Sequence, residues 1–269
     1  MPVHPEPLDR LPAAAARAVR GVLTDIDDTL TTAGAITTDA LQALAALRSA
    51  GLRVVAVTGR PMGWSEPIAR DAPLDAVVAE NGGVALFRDF ATGALQVEYA
   101  QGEAERAVNA RRLQAAAERV LHEVHGATLA RDSAGRRTDI AIDHAEFATL
   151  APECIAEVVR VMRDAGLTAT VSSIHVNGWI GGHDKMSGAR SIVRRLWGAD
   201  LDAERDRWVY VGDSTNDEAM FAHFPLSVGV ANLLHFADRL RVWPAYLARG
   251  ARGAGFAEVV QRILEAREA

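Results

Sequence analysis

The sequence predicts an α/β fold, a doubly wound parallel sheet interrupted by a compact α+β insert. Three observations carry that expectation. Short apolar runs at residues 21–26, 53–58 and 76–79 alternate with helix-length segments, the rhythm of a parallel sheet covered by helices on both faces. That rhythm lapses after Gly83 and resumes near residue 181. The runs at 21–26 and 53–58, with a later one at 208–211, end in polar residues, as strand ends that face a ligand do.

Residues 21–26 read as a buried strand, ending in Asp27-Asp28-Thr29. Thr37 or Thr38 is placed to cap a helix carrying Leu41, Leu44 and Leu47 on one side, with Gly51 as its stop. The second strand, 53–58, leads into Gly59-Arg60-Pro61 and a helix reaching Arg70, and the third strand covers 76–79. Beyond Glu80-Asn81-Gly82-Gly83, residues 84–87 and 95–99 form a hairpin pattern around Thr92-Gly93. A long charged helix follows at 103–122. Strand-like stretches flank Ser133-Ala134-Gly135, the second at 138–142, and after a helix at 152–164 one or two strands occupy 168–176. The resumed core has a helix at 187–197, a strand at 208–211, a polar turn at 212–217, a short helix, a strand at 226–230 and a last helix at 256–266. The expected division is a loose leader at 1–19, a core from 20–83 and 181–269, and an inserted domain at 84–180.

Composition removes several function classes. With a formal net charge of -6, the 269-residue chain offers no broad basic surface to nucleic acid or anionic lipid. One cysteine, Cys154, excludes an intrachain disulfide framework and a cysteine-based zinc cluster. No apolar run approaches the roughly 18 residues of a membrane span, and the first twenty residues lack an apolar signal-peptide core. The expected compartment is the cytoplasm. The eight histidines show no HExxH spacing, which argues against a zinc site.

Polar clusters at 25–29, 58–60 and 212–217 each follow an apolar strand, and Lys185 stands just before a helix. One such cluster is ordinary turn chemistry. Four on one sheet edge gather at least three carboxylates, a lysine, a threonine and several glycines. Crowded carboxylates repel unless a cation sits among them. Hard oxygen ligands of this kind suit Mg²⁺, while a lysine and a threonine hydroxyl with its neighbouring amides suit phosphoryl oxygens. The chemistry implied is metal-assisted phosphoryl transfer.

Asp25-Ile26-Asp27-Asp28-Thr29 resembles the DxDxT first motif of the haloacid dehalogenase superfamily. Val57-Thr58-Gly59-Arg60 is similar to its second motif, Lys185 to its third, and Gly212-Asp213-Ser214-Thr215-Asn216-Asp217 to the GDxxND form of its fourth. The insert between the second and third motifs resembles a type C2 cap on a Rossmann-like core. Asn81-Gly82-Gly83 and the closing Gly253-Ala254-Gly255-Phe256-Ala257 are similar to subfamily IIB, which includes sucrose-phosphate, mannosyl-3-phosphoglycerate and Cof-type phosphatases. The resemblance implies a Mg²⁺-dependent phosphatase working on a small phosphorylated metabolite, a sugar phosphate or phosphorylated sugar acid. Asp25 would be the nucleophile that becomes an aspartyl-phosphate, and Asp27 the general acid and base. Mg²⁺ would be held by Asp25, the Asp27 main-chain carbonyl and Asp213, with Asp217 close by or linked through water. Thr58, Gly59, Lys185 and Asn216 would hold the phosphoryl oxygens. Asp28 departs from the commonest pattern, which has glycine there.

In the insert, Arg131, Arg136 and Arg137 are candidates to meet the leaving group, Arg137 above all. His175 and Asn177 share one face of an extended stretch and are further candidates, and Trp64 is a candidate for the pocket mouth or for packing. Two other readings remain: a phosphomannomutase-like phosphotransferase and, outside enzymes, a receiver-like phospho-accepting signalling module. The acid/base position of Asp27, two residues after Asp25, separates the enzyme from the receiver.

Overall fold

The computed structural model describes residues 4–268. A nine-stranded sheet runs in the order β1 (Glu6–Pro7), β15 (Tyr246–Leu247), β14 (Leu226–Gly229), β13 (Trp208–Gly212), β2 (Gly21–Thr24), β5 (Arg53–Val57), β6 (Ala76–Ala79), β7 (Val84–Arg88) and β8 (Leu95–Tyr99). The strands from β1 to β6 pair in parallel; β7 and β8 close the edge antiparallel.

The period of two along each strand divides the side chains between two buried layers. Val22, Val54, Ala56, Val209 and Val211 face one layer, under α1 (Ala13–Ala18), α2 (Thr38–Ser49), α3 (Met62–Asp71) and α8 (Arg252–Glu268). Leu23, Val55, Val57, Trp208 and Tyr210 face the other, under α6 (Lys185–Trp197) and α7 (Glu218–His223). Burial on both faces is why these strands read as unbroken apolar runs. Thr37 caps α2 by accepting from the Ala40 amide, and Gly51 follows its end at φ +72°. The buried face of α2 is Ala40, Ala43, Leu44 and Leu47, whereas Leu41 is exposed. In this alanine-rich helix the small side chains let α8 approach, so the stripe is rotated from the one the leucines suggest.

A second, four-stranded sheet has the order β11 (Thr168–Val171), β12 (His175–Trp179), β10 (Asp139–Asp143) and β9 (Thr128–Leu129), all antiparallel. The helices α4 (Glu103–Glu123) and α5 (Pro152–Asp164) cover it through Leu113, Val120, Val158, Val161 and Met162. Cys154 is half-buried beside this cluster. A short hairpin, β3 (Thr31–Thr32) with β4 (Ala35–Ile36), projects after the first acidic motif as a flap.

Two boundaries differ from the sequence expectation. The hairpin at 84–99, expected in the insert, belongs to the large sheet. Only the tight turn Glu80–Gly82 separates β6 from β7, so the chain folds straight back beside β6, and Val84, Leu86 and Phe87 enter the core layers. The stretch expected to be a loose leader is ordered over residues 4–19. It adds β1 and packs Leu8, Leu11, Ala16 and Val19, each at most 2% exposed, into the core. Leu11→Ala is accordingly expected to cost about 2–5 kcal/mol, the usual range for truncating a buried leucine, read as a lowered unfolding midpoint in denaturant. A loose leader would show no change. Among the described residues, no helix is long and apolar enough to cross a membrane.

Candidate active site

The carboxyl ends of β2, β5 and β13 meet at the centre of the sheet, and α6 begins beside them. Because β2 lies between the other two, Asp25 follows its last residue flanked by Thr58 and Asp213 on adjacent strands. Asp25, Thr58, Lys185, Asp213 and Asp217 are each at most 4% exposed. Lys185 opens α6, whose Asp184 cap accepts from the Ser187 amide at 2.6 Å, so its side chain is aimed by the first helical turn. Its Nζ donates to Asp25 Oδ1 at 2.6 Å and to Asp217 Oδ1 at 2.7 Å. Gly82 makes this approach workable: it has φ +99°, and a Cβ there would lie 2.0 Å from the Asp184 carbonyl oxygen.

Asp217 is fully engaged. Besides Lys185, Oδ1 accepts from the Tyr210 hydroxyl at 2.5 Å, and Oδ2 accepts from the amides of Asp213 and Ser214 at 3.0 and 3.2 Å. That pattern makes it the anchor of the polar turn and of Lys185. Asp213 accepts from Asn232 Nδ2 at 3.3 Å and lies 3.5 Å from the Thr29 hydroxyl. Asp25, Asp213 and Asp217 each bring a carboxylate oxygen within 4.8 Å of the others. Burial raises the Asp25 carboxyl to about 8; Lys185 opposes the shift, and Asp217 and Asp27 add to it. Asp213 is also raised well above the ordinary range, by burial and then by Asp25 and Asp217. Uncompensated negative charge on hard oxygen donors is what a divalent cation would relieve, so the residues present fit one. Lys185 is pushed up instead: burial works against its charge, but Asp217 and Asp25 outweigh it.

The Asp27 carboxylate turns away from this cluster. Arg60 Nε donates to its two oxygens at 2.9 and 3.0 Å. Burial pushes Asp27 up and Arg60 pulls it back, a balance that suits a group alternating between acid and base. Asp28 has φ +54°, in the left-handed region where glycine is at ease, which explains why the related pattern favours glycine there. Its strain is held by three bonds: its amide donates to Thr31 Oγ1, its carbonyl accepts from Asn232, and its carboxylate accepts from Arg252 Nε at 2.8 Å. Asn232 also accepts from the Arg252 amide, tying the flap to the start of α8.

The four-stranded domain is seated on the second motif. Arg136 Nη1 and Asn177 Nδ2 both donate to the Gly59 carbonyl, at 3.0 and 3.2 Å. Arg136 in turn is gripped by Asp139, a buried carboxyl that burial raises to about 7 against the pull of Arg136. Glu80, fully buried, accepts from the Arg137 and Thr138 amides and the Thr138 hydroxyl. The remaining Arg60 groups reach across: Nη1 to Asp132 at 3.0 Å and Glu146 at 3.1 Å, Nη2 to Glu146 at 2.7 Å. Trp64 stacks on this guanidinium at 4.8 Å.

The structure therefore brings together Asp25, Lys185, Asp213 and Asp217, with Thr58 and Gly59 on the neighbouring strand end. Thr58 Oγ1 accepts from the Arg60 amide at 3.0 Å. Asn216 is half-buried, and its side chain accepts from Ser214 Oγ at 2.9 Å. Arg137 is not brought to the site: its side chain is exposed and donates to the Ala134 and Arg136 carbonyls. His175 is buried with Nε2 3.0 Å from Glu146, and Asn177 is spent on Gly59 and Asp139, so both lie in the seam between the sheets. Sequence reasoning missed Tyr210, Asn232, Asp132, Glu146 and Asp139. Only Tyr210 carried a signal, as a hydroxyl inside an apolar strand that ends in a polar turn.

A central parallel sheet with buried carboxylates at its carboxyl edge, and a second sheet seated over them, defines a capped α/β fold with one acidic site. Residues 22–109 match the family described as haloacid dehalogenase-like hydrolase. No curated protein sequence matches the chain. Its fold is similar to a Thermoplasma acidophilum structure, with TM-score 0.68, 17% identity and coverage of 91% of this chain and 98% of that one. It is also similar to the sucrose-phosphatase of Synechocystis sp., solved with sucrose and phosphate, at TM-score 0.63 and 17% identity, covering 91% and 98%. A structure described as a HAD subclass IIB sugar phosphatase matches at TM-score 0.56 and 16% identity, covering 86% and 93%.

Proposed function

We propose that the chain is a Mg²⁺-dependent phosphatase of small phosphate monoesters, with a core at 20–83 and 181–269 extended by the hairpin 84–99, and a cap completed by residue 180. The observation that carries this reading is Lys185 bridging two buried carboxylates beside a third, at the carboxyl edge of the sheet.

Asp25 attacks phosphorus, so that an aspartyl-phosphate, a mixed anhydride, forms as the bond to the leaving oxygen breaks. Lys185 and the Thr58 hydroxyl, with the amides of the 58–60 turn and Asn216, offset the charge on the phosphoryl oxygens. Asp27 gives its proton to the leaving oxygen and then takes one from the water that hydrolyses the aspartyl-phosphate. Its exchange between protonated and ionised forms is poised by burial on one side and Arg60 on the other. A bound Mg²⁺, held by Asp25, Asp213 and the Asp27 carbonyl, would supply charge neutralisation on the phosphoryl group. Asp217 holds Lys185 and the polar turn in place. The cap residues seated on Gly59 and Arg60 exclude water when they close.

The sucrose-phosphatase and sugar-phosphatase likenesses support a phosphorylated sugar or sugar acid as the substrate class. The test is hydrolysis of p-nitrophenyl phosphate and a panel of phosphorylated metabolites. Turnover is expected with Mg²⁺, loss of at least about a hundredfold on chelation, and full recovery on adding Mg²⁺ back. Activity indifferent to chelation, or absent from every monoester, would overturn the reading.

A further inference from the structure

We propose that a cavity at the amino edge of the large sheet is a second ligand site, which takes a small anion carrying a flat ring, a nucleotide or another aryl anion. The site is independent of the phosphatase reading, because none of its wall residues belongs to the carboxylate cluster or to the steps above.

The cavity measures about 550 Å³, within the roughly 300–1,000 Å³ of small-molecule sites. Its wall comes from the segments that enter three neighbouring parallel strands. Arg205 stands ahead of β13, Phe224 and Pro225 ahead of β14, and the run from Arg241 to Ala245 ahead of β15. These are amino ends, so the cavity lies across the sheet from Asp25, Thr58 and Asp213, which follow carboxyl ends. The wall is braced from behind. Tyr210 of β13 stacks on Phe224 with ring centroids 6.2 Å apart and meets Phe221 edge-on at 5.8 Å. Glu218 accepts from the amides of Arg241 and Val242, which ties the segment carrying Trp243 to the start of α7. The Ser227 hydroxyl donates to the Phe221 carbonyl and accepts from the Ala245 amide. A wall held in this way is formed before its ligand arrives.

Charge decides what fits. The chain has a formal net charge of -6, yet this wall holds Arg205, Arg241 and His223 and no carboxylate. Both arginines are exposed, and among the described residues their guanidiniums have no ion-pair partner; Arg241 bonds through its backbone amide alone. Two nearby carboxylates are spent elsewhere, Glu218 on the two amides and Asp202 on Arg190. A guanidinium offers paired donors that match the oxygens of a phosphate, carboxylate or sulfonate. Phe221, Phe224, Pro225, Pro244 and the half-buried Trp243 supply the rest, a surface suited to a ring and not to a hydrated ion. An anion without a ring leaves that surface wet. A ring without an anion leaves the guanidiniums without a counter-charge.

The test is titration calorimetry on the full chain without added Mg²⁺. Cyclic AMP and naphthalenesulfonate each combine a ring with one negative charge, and neither is a phosphate monoester, so turnover does not intrude. Adenosine and inorganic sulfate carry one half each. At least one of the ring-bearing anions is expected to bind with a Kd below about 1 mM. Binding of cyclic AMP alone makes the ligand a nucleotide, and binding of naphthalenesulfonate makes it an aryl anion more generally. Adenosine and sulfate are expected to bind at least about tenfold more weakly, the scale of one charge-assisted hydrogen bond. The double substitution Arg205→Gln with Arg241→Gln is expected to weaken the ring-bearing anion by at least about tenfold. Its unfolding midpoint is expected to stay within about 2 °C of wild type, because both side chains are exposed. If the double variant fails to fold, Arg241→Gln alone carries the same comparison. No binding of either ring-bearing anion, equal binding of adenosine or sulfate, or an affinity unchanged by the substitutions overturns the inference. Each of those results leaves the phosphatase reading standing, since that reading is tested by hydrolysis at the opposite edge of the sheet.

Discussion

Asp25→Asn is expected to abolish phosphatase activity, with a loss of at least about a thousandfold, on the order of 4 kcal/mol in barrier. An amide is no anionic nucleophile, and the change also withdraws a donor oxygen from the carboxylate cluster. The fold should survive. Asp25 is a raised, crowded carboxyl, and a neutral isostere relieves repulsion from Asp217 and Asp27 while retaining an oxygen for Lys185. The measurement pairs steady-state hydrolysis with thermal unfolding: activity lost and unfolding midpoint kept or raised. Turnover near wild type in the purified variant would remove Asp25 as nucleophile.

Asp217→Ala is expected to have the largest effect on stability. Its carboxylate accepts from Lys185, Tyr210 and two backbone amides, all in a fully buried place. Removing it leaves the buried Lys185 ammonium with Asp25 alone and strands the Tyr210 hydroxyl. Breaking a buried ion pair from one side costs about 3–5 kcal/mol, which for a chain of this size is on the order of 10 °C in Tm. Performed in a chelator, the melt separates two roles. An anchor costs the same with or without metal, whereas a group acting only as a metal ligand costs nothing once metal is removed.

The parallel core was legible because each strand is buried on both faces and announces itself as an apolar run closed by a polar cluster. Asp25, Thr58 and Asp213 were found that way and Lys185 by its place just before a helix, and the structure brings the four to one sheet edge. What failed was whatever depends on distant pairing. Arg60 was visible only as the end of a motif, yet its partners Asp132 and Glu146 stand 72 and 86 residues further on. Arg136 and Arg137 were both candidates, with Arg137 put first, and residue type cannot separate them. Alternation along the strand leading into β10 decides otherwise, burying Arg136 against Gly59 and leaving Arg137 outside. The hairpin at 84–99 was read correctly as a hairpin and assigned to the wrong sheet, because local pattern fixes pairing partners but not the layer they join. Residues 4–19 looked unstructured because alanines and prolines give little periodicity, although Leu8 and Leu11 are buried as deeply as the central strands.

The pairing of β2 with β13 has a consequence for how the chain is made. Asp25 leaves the ribosome early, but the strand that must lie against its own, and Lys185 that neutralises it, come some 160 to 190 residues later. At about 5–20 residues per second, that interval is on the order of ten to forty seconds. Through it, Val22, Leu23 and the first acidic motif have β5 on one flank and an open sheet edge on the other. The reactive centre is therefore assembled last from a part synthesised first, and the nascent chain carries an unpaired apolar edge through most of its own synthesis.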